Sequence, residues 1–376
     1  MMMQVNKIFN PITLKSGSIL KNRIAMAPMT TWSSNDDYTI SDEEVAYYER
    51  RVRDVGLVIT GCTHVQENGI GFTDEYAAYD DRFIPSLKKL ATAAKSGGSL
   101  AYMQIFHAGN KALADLIPEG DVVSSSDVVC EASGFAPETH PRALSTEEIK
   151  EVIKAFGETT RRAIEAGFDG VELHGAHGFL IQNFLSPHFN VRTDEWGGSL
   201  ENRLRFALAI IDEIQSVIQT HADRPFGVGF RISPDEHYED GLVVEDTLAL
   251  TDALIEKDVD YIHISLSEAV SAQAKNERNN QTLVERFAAH LNGRIPLIAA
   301  GMITTPEQVE ILIEQGADIA AIGHGLIINP DWAAKVRVGA VEEIEDTIDL
   351  SRKPEYVLPE KLWNIIENSG GWFKLK

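Results

Sequence analysis

Two histidines, His174 and His177, stand three residues apart at the end of a strand-like segment, 170–174. At that spacing both imidazoles can face one cavity, where neutral rings can donate N–H hydrogen bonds to an oxyanion or bind a metal ion. The competing interpretation is two satisfied histidines in a polar loop, since short motifs are weak signals by themselves. No carboxylate follows at a familiar ligand spacing, so the metal hypothesis lacks further ligands.

Short apolar segments alternate along the chain with longer amphipathic ones. Several of the short segments are apolar on both faces, which is typical of a parallel sheet covered by helices. The predicted strands are 23–28, 56–61, 100–106, 170–174, 226–232, 261–265, 295–300 and 319–323. The predicted helices are 42–54, 85–96, 146–166, 200–220, 244–257, 281–291, 306–315 and 330–338. Ser145, Ser199 and Thr305 suit helix starts, and Gly167 and Gly316 suit helix ends.

Eight strands alternating with eight helices predict an α/β fold, a (β/α)₈ TIM barrel. An open doubly wound sheet is the competitor, because alternation alone does not show closure. Two long connections, 107–144 and 175–199, would emerge at the C-terminal end of the barrel, where active sites are built. We therefore expect one domain, with the barrel in residues 1–338 and a C-terminal extension in residues 339–376.

Two glycines, Gly301 and Gly323, follow the seventh and eighth predicted strands and precede helix starts. Backbone N–H groups in these two loops form the usual phosphate site of a TIM barrel. A lone glycine more often serves a left-handed turn, but two glycines in these equivalent loops favour phosphate.

Composition excludes several classes of protein. The chain has 376 residues, 44% of them apolar, and its 34 Lys and Arg against 57 Asp and Glu give a net charge of −23. Such an excess repels nucleic acid and anionic lipid, so we expect neither as a partner. The two cysteines, Cys62 and Cys130, are too few for a disulfide framework or an iron–sulfur cluster. With no signal sequence and no membrane-spanning run, a cytoplasmic location is expected.

Five ordered motifs give the chain a family resemblance. They are NRIAMAPMT at 22–30, QIFHAG at 104–109, the long block at 174–206 that begins HGAHG, AAGMIT at 299–304 and IGHGLIINPDW at 322–332. With them the chain resembles the old yellow enzyme family of FMN-dependent oxidoreductases, from about residue 7 to residue 338. The resemblance implies a TIM barrel with non-covalent FMN at its C-terminal mouth. It also implies reduction by NADH or NADPH, and hydride transfer from flavin N5 to an activated alkene, quinone or nitro compound.

The resemblance also implies roles for individual residues. His174 and His177 match the pair that holds the substrate oxygen, Gln104 matches the glutamine at the flavin pyrimidine edge, and Arg231 would face flavin N1 and the C2 carbonyl. A structural ion pair is the alternative for Arg231. The remaining implied cofactor residues are Pro28, Met29, Thr30, Cys62, Gly301, Met302, Gly323 and His324. Trp32 and Phe72 either form an aromatic wall or serve packing.

Three positions depart from the family pattern. Phe179 stands where the family usually has a tyrosine that protonates the substrate; Tyr38, Tyr76, Tyr102, Tyr238 and water are the possible replacements. His324 stands where an arginine is common, and Cys62 where alanine is usual; we take this cysteine as a packing residue rather than a redox thiol. Two other functions stay open, namely a metal-dependent TIM-barrel hydrolase or lyase using His174 and His177, and a flavin-binding protein with little turnover.

Three large aromatic residues, Trp363, Trp372 and Phe373, follow the last predicted helix. They pack either on their own barrel or against a neighbouring subunit, and the second option predicts a homo-oligomer.

Overall fold

Eight short parallel strands form the centre of the computed structural model, which describes residues 7–134, 136–276 and 280–376. In chain order they are Ile24–Met26 (β1), Leu57–Ile59 (β2), Leu100–Phe106 (β3), Gly170–Gly175 (β4), Gly227–Ile232 (β5), Tyr261–Ser265 (β6), Leu297–Ala300 (β7) and Ile319–Ile322 (β8). Each strand pairs with its neighbours in the chain, β8 pairs with β1, and β2 pairs with β3. The sheet therefore closes on itself, which confirms the barrel and excludes the open sheet.

The helices cover the outside of this barrel, one after each strand. They are Asp42–Arg51 (α1), Ile84–Lys95 (α2), Thr146–Ala166 (α3), Leu200–His221 (α4), Val244–Ile255 (α5), Leu283–Leu291 (α6), Pro306–Glu314 (α7) and Trp332–Val338 (α8), followed by a helix of the tail, Glu360–Asn368 (α9). Most predicted elements run a few residues too far at one end or both, because the residue types beside an element do not mark where its backbone hydrogen bonding stops.

The predicted helix boundaries have the expected capping chemistry. Ser145, Ser199 and Thr305 each accept a hydrogen bond from the backbone N–H three residues further on. Gly167 ends α3 with φ of +90°, and Gly316 follows α7 with φ of +102°, a conformation that glycine adopts without a Cβ penalty. These local signals confirm both the starts and the ends predicted for α3 and α7.

The N-terminal end of the barrel is filled. An antiparallel hairpin of Ile12–Thr13 and Ile19–Leu20 lies there, and the backbone N–H of Ser16 donates to Asp260 at 2.6 Å. Tyr102, inside the barrel, donates its hydroxyl to the same carboxylate. The packed floor leaves the C-terminal end, where the long loops lie, as the place for a ligand.

The two long loops pack on each other above the barrel. The loop after β3 contains a short parallel ladder between Val123–Ser124 and Arg142–Ala143, and the loop after β4 contains a helical turn, Leu180–Leu185. Asn183 of the second loop accepts hydrogen bonds from Ser124 at 3.1 Å and from Ser125 at 2.9 Å. These contacts hold the loop that carries the histidine pair.

The tail folds back on its own chain. Trp363 and Phe373 are 6% and 7% exposed and belong to the same apolar core as the barrel helices. The Trp372 ring packs edge-on against Trp32, with ring centroids 5.9 Å apart. These aromatic residues thus take the first of the two packing options, and the oligomeric state stays a prediction. Within the described ranges, no helix combines the length and apolarity that crossing a bilayer requires.

Candidate active site

A cavity of about 240 Å³ opens at the C-terminal end of the barrel. Every site residue predicted from the sequence lines it except Gly301, Met302 and Gly323, and Trp372 of the tail joins them. The strands bring these side chains together because the carboxyl ends of all eight meet at this mouth.

A buried polar network lies beneath the cavity. Nε2 of Gln104 donates to one oxygen of Glu172 at 2.7 Å, and Nδ1 of His263 lies 2.9 Å from the other oxygen. Burial alone would raise the pKa of Glu172, but attraction to His263 and Arg231 and the hydrogen bond from Gln104 hold that pKa below its ordinary value. The carboxylate is therefore ionised. It turns the Gln104 amide so that Oε1 accepts from the Cys62 thiol, at 3.4 Å.

Arg231 connects this network with the histidine pair. Its Nη2 donates to the Ser265 hydroxyl at 2.9 Å, and Nε2 of His177 lies 2.7 Å from the same oxygen. The Ser265 oxygen accepts from the guanidinium, and it can either donate its O–H to Nε2 of His177 or accept a second hydrogen bond from that nitrogen. Nε of Arg231 is buried and finds no hydrogen-bond partner in the described part of the chain. This N–H group is available to a ligand.

The two imidazoles lie 4.9 Å apart, measured between ring centroids, and both are neutral. Burial, together with His177 and Arg231, lowers the pKa of His174 well below its ordinary value. Desolvation, Arg231 and Lys111 also lower the pKa of His177. The His177 ring is exposed to the open cavity, so we expect its pKa to be lowered less than that of the buried His174. The backbone N–H of Ala176 donates to Nδ1 of His174 at 3.3 Å, which leaves the ring proton on Nε2.

Aromatic rings form one wall of the cavity. Phe179, 5% exposed, packs edge-on against His174 at 4.8 Å and against Phe106 at 4.9 Å. Phe72 lies 6.0 Å from Phe179 and 5.6 Å from Trp32, again edge-on. Trp32 and Phe72 were expected either to form an aromatic wall or to serve packing. They do both, because their rings line the cavity and also pack on one another.

The loop after β1 forms another side. Pro28, Met29 and Thr30 line the cavity there, next to Cys62. Burial and the neighbouring Glu75 raise the pKa of the Cys62 thiol, which is therefore uncharged. An uncharged buried thiol packs as a small apolar group and is a poor nucleophile.

A second cavity, of about 400 Å³, adjoins the first and shares His324 and Trp372 with it. Gly301 and Met302 line this one. A Cβ at Gly301 would lie 2.6 Å from the carbonyl oxygen of Leu266, so only glycine fits. A Cβ at Gly323, which precedes His324, would lie 3.0 Å from the Met29 sulfur.

No tyrosine is among the described residues that line the first cavity. Tyr38, Tyr76 and Tyr238 are not at its surface, and Tyr102 bonds to Asp260 deeper in the barrel. Within residues 7–134, 136–276 and 280–376, no group of three or more His, Cys, Asp or Glu residues is placed to hold a metal ion.

Sequence reasoning missed Glu172, His263, Ser265 and Trp372. The first two had a usable signal, since an ionisable residue in a strand that is otherwise apolar needs a buried partner. Ser265 and Trp372 had none, because serine and tryptophan are unremarkable at a strand end and in a tail.

Comparison with known proteins places the chain among flavin enzymes. A family model described as the NADH:flavin oxidoreductase / NADH oxidase family matches residues 7–343. The probable NADH-dependent flavin oxidoreductase YqiG of Bacillus subtilis is 44% identical over 369 residues, which are 98% of this chain and 98% of that protein. The NADH:fumarate oxidoreductase of Klebsiella pneumoniae is 38% identical over 95% of this chain. The chain spans only 38% of the length of that protein.

Solved structures have the same fold. Morphinone reductase in complex with tetrahydroNAD superimposes with a TM-score of 0.75 at 28% identity, covering 89% of this chain and 91% of that one. An old yellow enzyme homologue from Zymomonas mobilis superimposes with a TM-score of 0.77 at 23% identity, over 89% and 93% of the two chains. The second likeness concerns the fold alone.

Proposed function

The chain belongs to the NADH:flavin oxidoreductase / NADH oxidase family, and from that premise we propose that its barrel mouth holds one FMN, non-covalently, beneath the substrate. The protein is an oxidoreductase of the old yellow enzyme type, which transfers hydride from a nicotinamide nucleotide through a flavin to an electron-poor acceptor. Bound FMN would supply N5, the atom that takes up and releases the hydride.

The observation that carries the proposal is the pair of adjoining cavities, each lined by a residue with a buried, unpartnered nitrogen. Arg231, whose Nε finds no partner within the described residues, lines the first cavity, and His324, whose Nε2 finds none there either, lines both. An elongated ligand with a polar ring at one end and a phosphate at the other fits this arrangement. Gln104 and Arg231 would hold the pyrimidine edge, Thr30 would donate to the ring, and Gly301, Met302, Gly323 and His324 would surround the phosphate.

Arg231 and Gln104 have complementary tasks at the pyrimidine edge. The guanidinium is a fixed positive charge, which favours the reduced ring and so raises its reduction potential. The Gln104 amide is oriented by Glu172, so its carbonyl oxygen can accept from a ring N–H.

His174 and His177 would bind the carbonyl or phenol oxygen of the second ligand. Each neutral ring has one N–H: on His174 it is Nε2–H, and His177 would present Nδ1–H to the ligand when the Ser265 hydroxyl donates to its Nε2. Neutral donors stabilise an oxyanion as charge develops, without adding a buried positive charge. Phe179 beside them has no proton to give, and we therefore propose that quinones and nitro compounds are better acceptors than simple enones.

We propose NADH as the reductant, since the names of the B. subtilis and K. pneumoniae relatives specify it. We also propose that residues 339–376 belong to the barrel domain, because Tyr356, Trp363 and Phe373 are buried in its core.

Denaturation of the purified protein tests the cofactor proposal directly. We expect the release of one free FMN per chain, identified by chromatography. A covalent adduct, FAD, or protein without flavin would contradict it. Stopped-flow reduction of the flavin by NADH and by NADPH then tests the reductant; equal or faster reduction by NADPH would contradict the choice of NADH.

A further inference from the structure

The last residues of the tail are built into the rim of the second cavity. Gly371, with φ of +85°, turns the chain before Trp372. The backbone N–H of Ile348 donates to the carbonyl of Lys374, and the N–H of Lys376 donates to the carbonyl of Ile348, both at 2.9 Å. These two hydrogen bonds hold the backbone at Lys374 in place, next to the second cavity.

The second cavity has an unusual charge balance for a phosphate site. Two carboxylates, Glu268 and Asp346, line it, and Lys374 is the single Lys or Arg among its described lining residues. His324 does not add a guaranteed charge, because burial lowers its pKa and Phe373 packs on its ring at 4.5 Å. A phosphate monoester with a charge near −2 needs a cation here.

We propose that Lys374 of the C-terminal tail binds the phosphate of the flavin cofactor. This inference rests on the proposed FMN function and assigns a cofactor ligand outside the barrel. Nζ of Lys374 pairs with Asp346 at 2.8 Å, and the two side chains are 74% and 62% exposed. So exposed a pair is held weakly, and a dianionic phosphate competes for the lysine with twice the charge.

A merely structural salt bridge predicts a different pattern from a phosphate ligand. If the pair only anchored the tail, removing either partner would weaken flavin binding. If Lys374 binds the phosphate, Asp346 is a competitor, and the two substitutions have opposite effects on FMN affinity.

Flavin titration of the full-length apoprotein distinguishes these cases. FMN and riboflavin are each titrated by fluorescence quenching into wild type, Lys374→Met, Asp346→Asn and Lys376→Met. Lys376 is a matched control, since it lies in the same tail, pairs only loosely with Glu345 at 3.8 Å and does not line the cavity.

We expect Lys374→Met to weaken FMN binding roughly tenfold, the value of one charge-assisted hydrogen bond, and to leave riboflavin binding unchanged. Asp346→Asn should tighten FMN binding about twofold or more, and Lys376→Met should change neither affinity. Unchanged FMN affinity in Lys374→Met, or an equal loss for FMN and riboflavin, would overturn the inference. Wild type that binds neither flavin would instead refute the proposed function on which the inference rests.

Discussion

Replacing Phe179 by tyrosine introduces a phenol beside the histidine pair, in a cavity whose described lining residues include no tyrosine. Phe179 packs at 4.8 Å from the His174 ring, and Nζ of Lys111 lies 5.9 Å from its ring centroid. A general acid is worth about 10²–10⁴ in rate. A hydroxyl without a good partner in so buried a position costs about 1–3 kcal/mol, or about one to two powers of ten. The expected net gain in enone reduction is therefore about 30-fold at the middle of both ranges and roughly 10³-fold at most.

The assay is the stopped-flow reoxidation of the reduced flavin by cyclohexenone and by benzoquinone. The quinone needs no carbon protonation, so its rate should change by less than about threefold while the enone rate rises. Phe72→Tyr is the matched control. Phe72 lines the same cavity, but its ring packs on Phe179 and Trp32 and not on the two histidines. Its new hydroxyl should leave the enone rate unchanged.

Two results would refute this reasoning. Fast enone turnover by wild type, unchanged in Phe179→Tyr, would show that the proton comes from water or another group and that Phe179 is only a wall of the site. An equal gain in Phe72→Tyr would show that any added hydroxyl suffices, whatever its position relative to His174.

Two further predictions concern binding and stability. In the double variant His174→Ala, His177→Ala, phenols should bind more weakly and enone reduction should fall by about 10²–10³, whereas flavin reduction by NADH should suffer less; phenol affinity equal to wild type would contradict the assigned role. Burial raises the pKa of Glu44 to about 7 from 4.5, despite hydrogen bonds from Thr31 and Ser41. Because this pKa is raised, wild type keeps its full stability below pH 4.5 and loses part of it as the pH rises through 7, where the buried carboxyl must ionise. Glu44→Gln cannot ionise, so its free energy of unfolding should exceed that of wild type by up to roughly 3 kcal/mol above pH 7. Urea unfolding of both proteins at pH 5 and pH 8 measures this gain, and parallel pH profiles would exclude it.

Local patterns in the sequence predicted the covered parallel sheet, and the family resemblance supplied most of the residues that line the cavity. Strands apolar on both faces, with helices capped at Ser145, Ser199 and Thr305, leave few folds other than a covered parallel sheet. Residues at the ends of those strands must meet at one mouth once the sheet closes, which is why Gln104, His174 and Arg231 could be placed together in advance.

The tertiary structure alone decided which of these side chains touch. Strand register sets Gln104 beside Glu172, and Arg231 beside both His174 and His263. Register depends on the stagger of all the barrel strands together, which no single segment encodes. The Glu172 network and the Ser265 bridge between Arg231 and His177 therefore could not be derived from spacing.

The C-terminal tail shows most clearly that contacts between distant segments cannot be derived from sequence alone. Its sequence has three large aromatic residues after the last barrel helix. Such residues can pack equally well on their own barrel or against a neighbouring subunit. Backbone pairing between Ile348 and the last residues selects the first and brings Trp372 and Lys374 to the second cavity. Sequence determined what the tail could bury, because apolar area is a property of the residues themselves. Where it is buried depends on contacts between segments far apart in the chain, and only the folded structure contains them.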